Sequence, residues 1–139
     1  MSQWMQRGLL ASALVVACAW PAATFAAVDL IEWQNVNAVT GTGKPATAEE
    51  IKRAFMVGGA RRGWNCVDET PDKMVCTVVV RTHTLAMNLV YEPGKYSLTY
   101  KDSINLDYKD EAGKKTIHRA YVNWNTNLMN DARAELLRL

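Results

Sequence analysis

Two neighbouring segments of the chain alternate between apolar and polar residues, and this alternation constrains the fold more than any other feature. In residues 84–91 the odd-numbered positions are Leu, Met, Leu and Tyr, and in residues 96–101 Tyr, Leu and Tyr alternate with Ser, Thr and Lys. The turn sequence Glu-Pro-Gly-Lys separates the two segments. A period of two residues is typical of a strand with one buried face. The pattern therefore predicts a hairpin within an antiparallel sheet.

Two cysteines flank a second turn upstream of this hairpin. Residues 64–68 and 74–81 have strand character, and Glu-Thr-Pro-Asp-Lys between them suits a tight turn. Cys66 and Cys76 lie symmetrically about Pro71, so antiparallel pairing places them opposite each other, within reach of a disulfide. A metal site needs three or four ligands, and a redox pair favours exposure and a Cys-x-x-Cys spacing. The spacing therefore predicts a structural disulfide in a hairpin.

Helical periodicity precedes and follows the predicted strands. Thr47 and Glu50 form a capping box at the start of one helix, and the small residues Gly58 and Gly59 near its end predict close packing against a neighbouring element. Residues 110–115 are predicted as a polar loop, and an apolar stripe over residues 117–137 predicts a C-terminal helix. We predict an α+β two-layer sandwich: an N-terminal helix, a four-stranded antiparallel meander and a C-terminal helix packed on the sheet.

The N-terminus has the layout of a secretory signal peptide. Arg7 precedes a short apolar run over residues 9–20, and the small residues Thr24 and Ala26 follow, which predicts residues 1–26 as signal peptide with cleavage after Ala26. Val-Val-Ala-Cys at residues 15–18 also resembles a lipobox, and cleavage before Cys18 would instead give a lipid-anchored form. We favour the soluble form, located in the periplasm. Residues 27–46 are predicted as an N-terminal arm and loop, in which residues 28–39 suit either an edge strand or an extended arm. Residues 47–139 are predicted as a single α+β domain.

Composition narrows the classes of function. Hydrophobic residues make up 49% of the chain and charged residues 22%, which is typical of a globular protein. The formal net charge of +2 gives no support for binding to nucleic acid. No second long apolar segment follows the first, so no transmembrane helix is predicted in the mature protein. No cofactor-binding motif is present either.

Three segments resemble a functionally uncharacterised group of small exported proteins and lipoproteins of proteobacteria. They read GGARRGW, YSLTYKDSINLDY and IHRAYVNWNTNL, and the resemblance extends over residues 47–137. It implies an α+β domain in the cell envelope and, in many members, a lipidated N-terminal cysteine. The chain departs from the group in its poor lipobox. The resemblance transfers no catalytic residues.

Polar and aromatic residues cluster in two of these segments, and they form the candidate binding site. We call the following set the polar-aromatic patch: Asn105, Asp107, Tyr108, His118, Arg119, Tyr121, Asn123 and Trp124. Tyr, Trp and Arg dominate binding hot spots. The alternative is that the aromatic residues belong to the core and that Asp107 pairs with His118 or Arg119. Arg61 and Arg62 beside Trp64 are a second candidate, for an anionic partner.

The hypothesis from these observations is a non-catalytic exported binding or accessory protein of the bacterial cell envelope, with an unknown envelope protein or ligand as partner. One alternative is a small hydrolase or ligand-binding enzyme that uses His118 and Asp107. Another is an inhibitor of an envelope or host enzyme that presents residues 81–84 or 92–95. His83 is predicted to lie in a turn, and the two histidines leave too few ligands for a metal site.

Overall fold

The computed structural model describes residues 27–139. The predicted signal peptide, residues 1–26, and the candidate lipidation site Cys18 lie outside the described residues. Within the described range the chain forms the following elements: β1 (Ala27–Asp29), β2 (Trp33–Asn37), α1 (Ala48–Ala60), β3 (Trp64–Thr70), β4 (Lys73–Val80), β5 (His83–Glu92), β6 (Lys95–Ile104), β7 (Lys109–Glu111), β8 (Lys114–His118) and α2 (Ala120–Leu136). The predicted α+β class is confirmed, and α2 is the C-terminal helix.

The larger sheet is antiparallel and has the strand order β2-β6-β5-β4-β3. Each strand from β3 to β6 pairs with the next one along the chain. The fifth strand, β2, lies in the segment for which an edge strand was one of two predicted alternatives, and it pairs with the outer side of β6. Alternate residues of the central strands are buried, among them Leu85, Met87 and Leu89. The opposite face of the sheet leaves Val79 and other β-branched residues exposed. The period of two therefore reflects one buried face of the sheet, as predicted.

Helix α1 begins at the predicted capping box. The Thr47 hydroxyl accepts a hydrogen bond from the Glu50 backbone N–H at 3.1 Å, and the Glu50 carboxylate accepts one from the Thr47 N–H at 3.0 Å. The helix packs on α2 and on β3. Its Phe55 side chain meets the Tyr96 ring edge-to-face at 4.8 Å, which joins the helix to the sheet.

The predicted start of the C-terminal helix is wrong, and so is the polar loop predicted before it. Residues 110–115 lie within a hairpin formed by β7 and β8, whose turn residues Ala112 and Gly113 both have positive φ. Ile117 is fully buried, but it lies in β8 opposite Val28 of β1. Its spacing from the buried residues of α2 mimics a helical period, which is why the pattern misled. Strands β1, β8 and β7 form a second, three-stranded antiparallel sheet.

The stretch predicted as an N-terminal arm and loop contributes to the fold. It supplies β1 to the small sheet and β2 to the large one. The loop that follows buries Ala38 and Ala46 in the core, where the Ala46 N–H donates to the Ala38 carbonyl at 2.9 Å. Residues 27–46 are therefore integrated into both sheets.

The predicted disulfide is confirmed. Cys66 of β3 is registered opposite Cys76 of β4, their Cα atoms are 4.0 Å apart, and the two sulfurs are bonded. Both cysteines are buried on the face of the sheet that also buries Trp64, Met74 and Val78. The bridge therefore ties the edge strand β3 to its neighbour inside the core.

Candidate functional site

The loop of residues 105–108, between β6 and β7, contains three members of the polar-aromatic patch. Its anchor is Leu106, which is only 2% exposed. The Leu106 carbonyl accepts a hydrogen bond from the His118 backbone N–H at 2.8 Å. The Asn105 carbonyl accepts one from Nδ1 of His83 at 2.6 Å. A buried side chain and two bonded carbonyls hold this loop in one position.

The two residues that flank Leu106 have left-handed backbone conformations. Asn105 has φ 59° and Asp107 has φ 51°. Asn and Asp enter this region more readily than other non-glycine residues because their short polar side chains can bond locally. The Asn105 amide donates instead to the hydroxyl of Thr82, which lies 23 residues earlier in the chain, at 2.9 Å, and this bond ties the loop to the turn between β4 and β5. The Asn-Leu-Asp motif therefore turns Leu106 inward and leaves Asn105 and Asp107 exposed.

A chain of ring contacts runs from this loop into the core. Tyr108 stacks on Tyr100 with ring centroids 4.5 Å apart. The centroid of Tyr100 lies 6.3 Å from that of Tyr121, and Tyr121 stacks on Trp33 with centroids 5.9 Å apart. Tyr121 is completely buried, and its hydroxyl donates to the Ile31 carbonyl at 2.7 Å. Tyr121 is thus a core residue, whereas Tyr108 is half-buried at the surface end of the chain of rings.

The other patch residues lie where β8 meets α2. His118 is the last residue of β8, and its Nδ1 accepts a hydrogen bond from the Ala120 N–H at 3.0 Å. Arg119 is the N-cap residue of α2 and is exposed, as is Asn123. Trp124 is half-buried, with its ring 6.3 Å from that of His83. His83 opens β5 and contacts the loop, so it is more constrained than the predicted turn histidine.

The structure brings together only part of the patch around one surface feature. Asn105, Asp107 and Tyr108 line an open depression of about 600 Å³ with five neighbours, Tyr100, Lys101, Asp102, Ser103 and Leu106. Trp124 lines a different shallow pocket beside Trp64. His118 does not line the depression that contains Asp107. The hypothesis of an acid–base pair from these two residues therefore gains no support from a shared cavity.

The arginines near the end of α1 face carboxylates of α2. Arg61 lies 2.6 Å from a Glu135 carboxylate oxygen, and Arg62 forms an ion pair with Asp131. Trp64 is buried. These contacts give the two arginines a role in joining the helices, and the binding of an anionic partner stays a prediction.

A second cavity, which we call the β2–α2 cleft, was not predicted from any sequence pattern. It has a volume of about 260 Å³ and is lined by Trp33, Val36, Asn37, Ala38, Val39, Tyr96, Met129, Asn130, Ala132, Arg133 and Leu136. The residues from β2 and from α2 lie about a hundred positions apart in sequence. No local pattern could have placed the two segments side by side.

Tyr96, which lines this cleft, gives a prediction about alkaline pH. Burial raises the pKa of the Tyr96 hydroxyl to about 12, whereas an unfolded tyrosine titrates near ~10. Above about pH 10 the unfolded chain therefore loses this proton first, so stability falls as the pH rises. We expect the Tyr96→Phe variant to lose less free energy of unfolding than the wild type in urea titrations from pH 8 to pH 11. Parallel pH profiles for the two proteins would contradict this cause.

Comparison of the chain with models of protein families, with curated proteins and with solved structures found no match. The resemblance to exported proteobacterial proteins therefore stays a prediction. Neither helix in residues 27–139 combines the length and hydrophobicity of a membrane span. The same residues contain no cluster of three or more His, Cys, Asp or Glu side chains that could hold a metal ion.

Proposed function

We propose that this chain is a non-catalytic, exported binding or accessory domain of the bacterial cell envelope, and that the 105–108 loop presents its contact surface. The observation that carries the proposal is the fixed conformation of this loop. Two left-handed residues flank the buried Leu106. The Asn105 carbonyl accepts a hydrogen bond from His83 of β5, and the Leu106 carbonyl accepts one from His118 of β8. A loop whose conformation is fixed before a partner binds loses little conformational entropy on binding.

The chemistry of the loop supports a protein or ligand contact. Asp107 is exposed, and no hydrogen bond or ion pair holds its carboxylate within residues 27–139. Tyr108 is half-buried against Tyr100, so it offers a large rigid ring at low entropic cost. Tyrosine is among the residue types that dominate binding hot spots.

Export is supported by the Cys66–Cys76 disulfide, because such bonds form and persist in oxidising compartments. Ala27 of β1 is registered opposite His118, so cleavage after Ala26 would retain every described residue of this strand.

Crosslinking in intact cells tests the contact surface. A photoactivatable amino acid at Lys109, an exposed strand residue directly after the loop, should crosslink to a discrete partner. The Asp107→Asn variant should lower that crosslink yield several-fold. Asn tolerates the left-handed conformation as Asp does, so the melting temperature should stay unchanged.

The intact mass of the protein recovered from the envelope fraction should correspond to a chain that starts at Ala27.

The matched control uses the opposite end of β6. Glu92, in the β5–β6 hairpin, is exposed and pairs with Lys95 at 3.2 Å. The Glu92→Gln variant removes a similar charge and should leave the Lys109 crosslink unchanged. Equal crosslinking in the Asp107→Asn and wild-type proteins would show that the loop serves the fold alone.

A further inference from the structure

The β2–α2 cleft has apolar walls. Trp33 and Val36 line it from β2, Met129 and Leu136 from α2, and Tyr96 from β6. Trp33 and Met129 are half-buried, so their side chains are open to a bound molecule. Small-ligand sites are concave and mainly apolar, with a few polar groups that fix orientation. At about 260 Å³ the cleft accommodates a compact ligand.

The polar groups of the cleft are cationic or neutral. The lining residues with polar side-chain groups are Arg133, Asn37, Asn130, Tyr96 and Trp33, and the lining contains no Asp or Glu. Guanidinium and amide N–H groups are donors, and a carboxylate accepts from both. The lining is therefore complementary in charge to an anionic oxygen group.

Arg133 differs from its neighbours in its pairing. Arg61, Arg62 and Arg138 each lie against a carboxylate of α2, either Asp131 or Glu135. Arg133 lies on the same helix, and it has no ion pair with any residue in the part of the chain that the structure describes. Arg133, an exposed residue, thus brings to the lining of the cleft a cation that no described carboxylate pairs.

We infer that the β2–α2 cleft binds a compact amphipathic carboxylate, the size of a medium-chain fatty acid. The apolar part lies between Trp33 and Met129, and the carboxylate accepts hydrogen bonds from Arg133. The inference is independent of the 105–108 loop, because the cleft and the depression share no lining residue. The ligand gains both apolar burial and a charge-assisted contact.

Titrations with three probes of equal chain length test the inference. Octanoate, 1-octanol and octylammonium carry a negative, a neutral and a positive head on the same apolar chain. Each is added to the purified protein while two-dimensional nitrogen-15 NMR follows the Trp33 indole and the Asn130 side-chain amide. Octanoate should shift both signals and bind about tenfold or more tightly than 1-octanol, because a hydrogen bond to a charged group is worth about 1.5–3 kcal/mol.

Two variants assign the charge to one residue. Arg133→Gln should remove the preference for octanoate over 1-octanol. Arg138→Gln is the matched control, since Arg138 lies beyond the same helix, is 65% exposed and faces Glu135, and it should keep that preference. Met129→Trp adds bulk at a half-buried lining position and should weaken all three probes without removing the cation.

Three results would overturn the inference. The first is equal affinity for the three probes, which indicates unspecific adsorption of an alkyl chain. The second is a set of octanoate shifts that lies away from Trp33 and Asn130. The third is unchanged octanoate binding by Arg133→Gln together with tight binding of 1-octanol, which would point to an apolar protein side chain as the occupant.

Discussion

Replacing Gly58 by alanine is expected to lower the free energy of unfolding by about 2–3 kcal/mol, although alanine is the better helix former by about 1 kcal/mol. A Cβ atom at Gly58 would lie 2.8 Å from the backbone carbon and oxygen of Asp131 and 2.9 Å from the nitrogen of Ala132. Those atoms belong to helix α2, so the clash can be relieved only by moving one helix away from the other. Urea unfolding followed by circular dichroism measures the loss.

The neighbouring glycine is the matched control. A Cβ atom at Gly59 would meet the tip of Leu128 at 3.0 Å and Cβ of Trp64 at 3.1 Å, and the leucine tip can rotate. The expected change for Gly59→Ala is within about 1 kcal/mol, because the helix propensity gained offsets the tighter contact. Equal destabilisation by the two substitutions would contradict helix–helix contact as the reason for Gly58.

Signals within one element predicted that element well. The period of two over residues 84–91 predicted β5, and Thr47 with Glu50 predicted the start of α1. The symmetry of two cysteines about Pro71 predicted their register. These patterns report local geometry and the direction of one buried face, and both are properties of a short segment.

Elements that lack a distinctive signal in their own segment of the sequence were not predicted. Strand β7 is three residues long and wholly exposed, so it shows no alternation. Ala112 was not recognisable as a turn residue, because alanine has no preference for the left-handed conformation it adopts. Ile117 is buried by β1, which comes ninety residues earlier, and nothing near it in sequence distinguishes that burial from helix packing.

Residue types predicted part of the candidate site, but they did not predict how deeply each side chain is buried. Tyr121 and Tyr108 have the same residue type, yet one is completely buried and the other lies at the surface. Leu106 was overlooked because it is apolar, although it fixes the loop on which Asp107 is presented. The β2–α2 cleft was not predicted, because it depends on the position of β2 at the edge of the sheet. Only the pairing of β2 with β6 sets that position.

Removing the disulfide is expected to have the other large effect, a loss of about 2.5–3 kcal/mol from closure of its short loop. The bridge joins residues ten positions apart. The double variant Cys66→Ala, Cys76→Ala also removes two buried sulfurs beneath α1, where Cys66 lies close to Gly59. Since small domains have only about 5–15 kcal/mol of stability, the fold would lose a substantial fraction. Urea unfolding with and without dithiothreitol measures the change.

Adding reductant distinguishes the effect of the disulfide bond on stability from the effect of replacing the cysteine side chains. Dithiothreitol should lower the unfolding midpoint of the wild type toward that of the double variant, and it should leave the double variant unchanged. A wild-type midpoint that does not respond to reductant would contradict the expected contribution of the bond. If the loss is observed, β3 depends on an oxidised bridge for its place at the sheet edge. Efficient folding would then need an oxidising compartment, and the stability of the domain would support the same location as its predicted export.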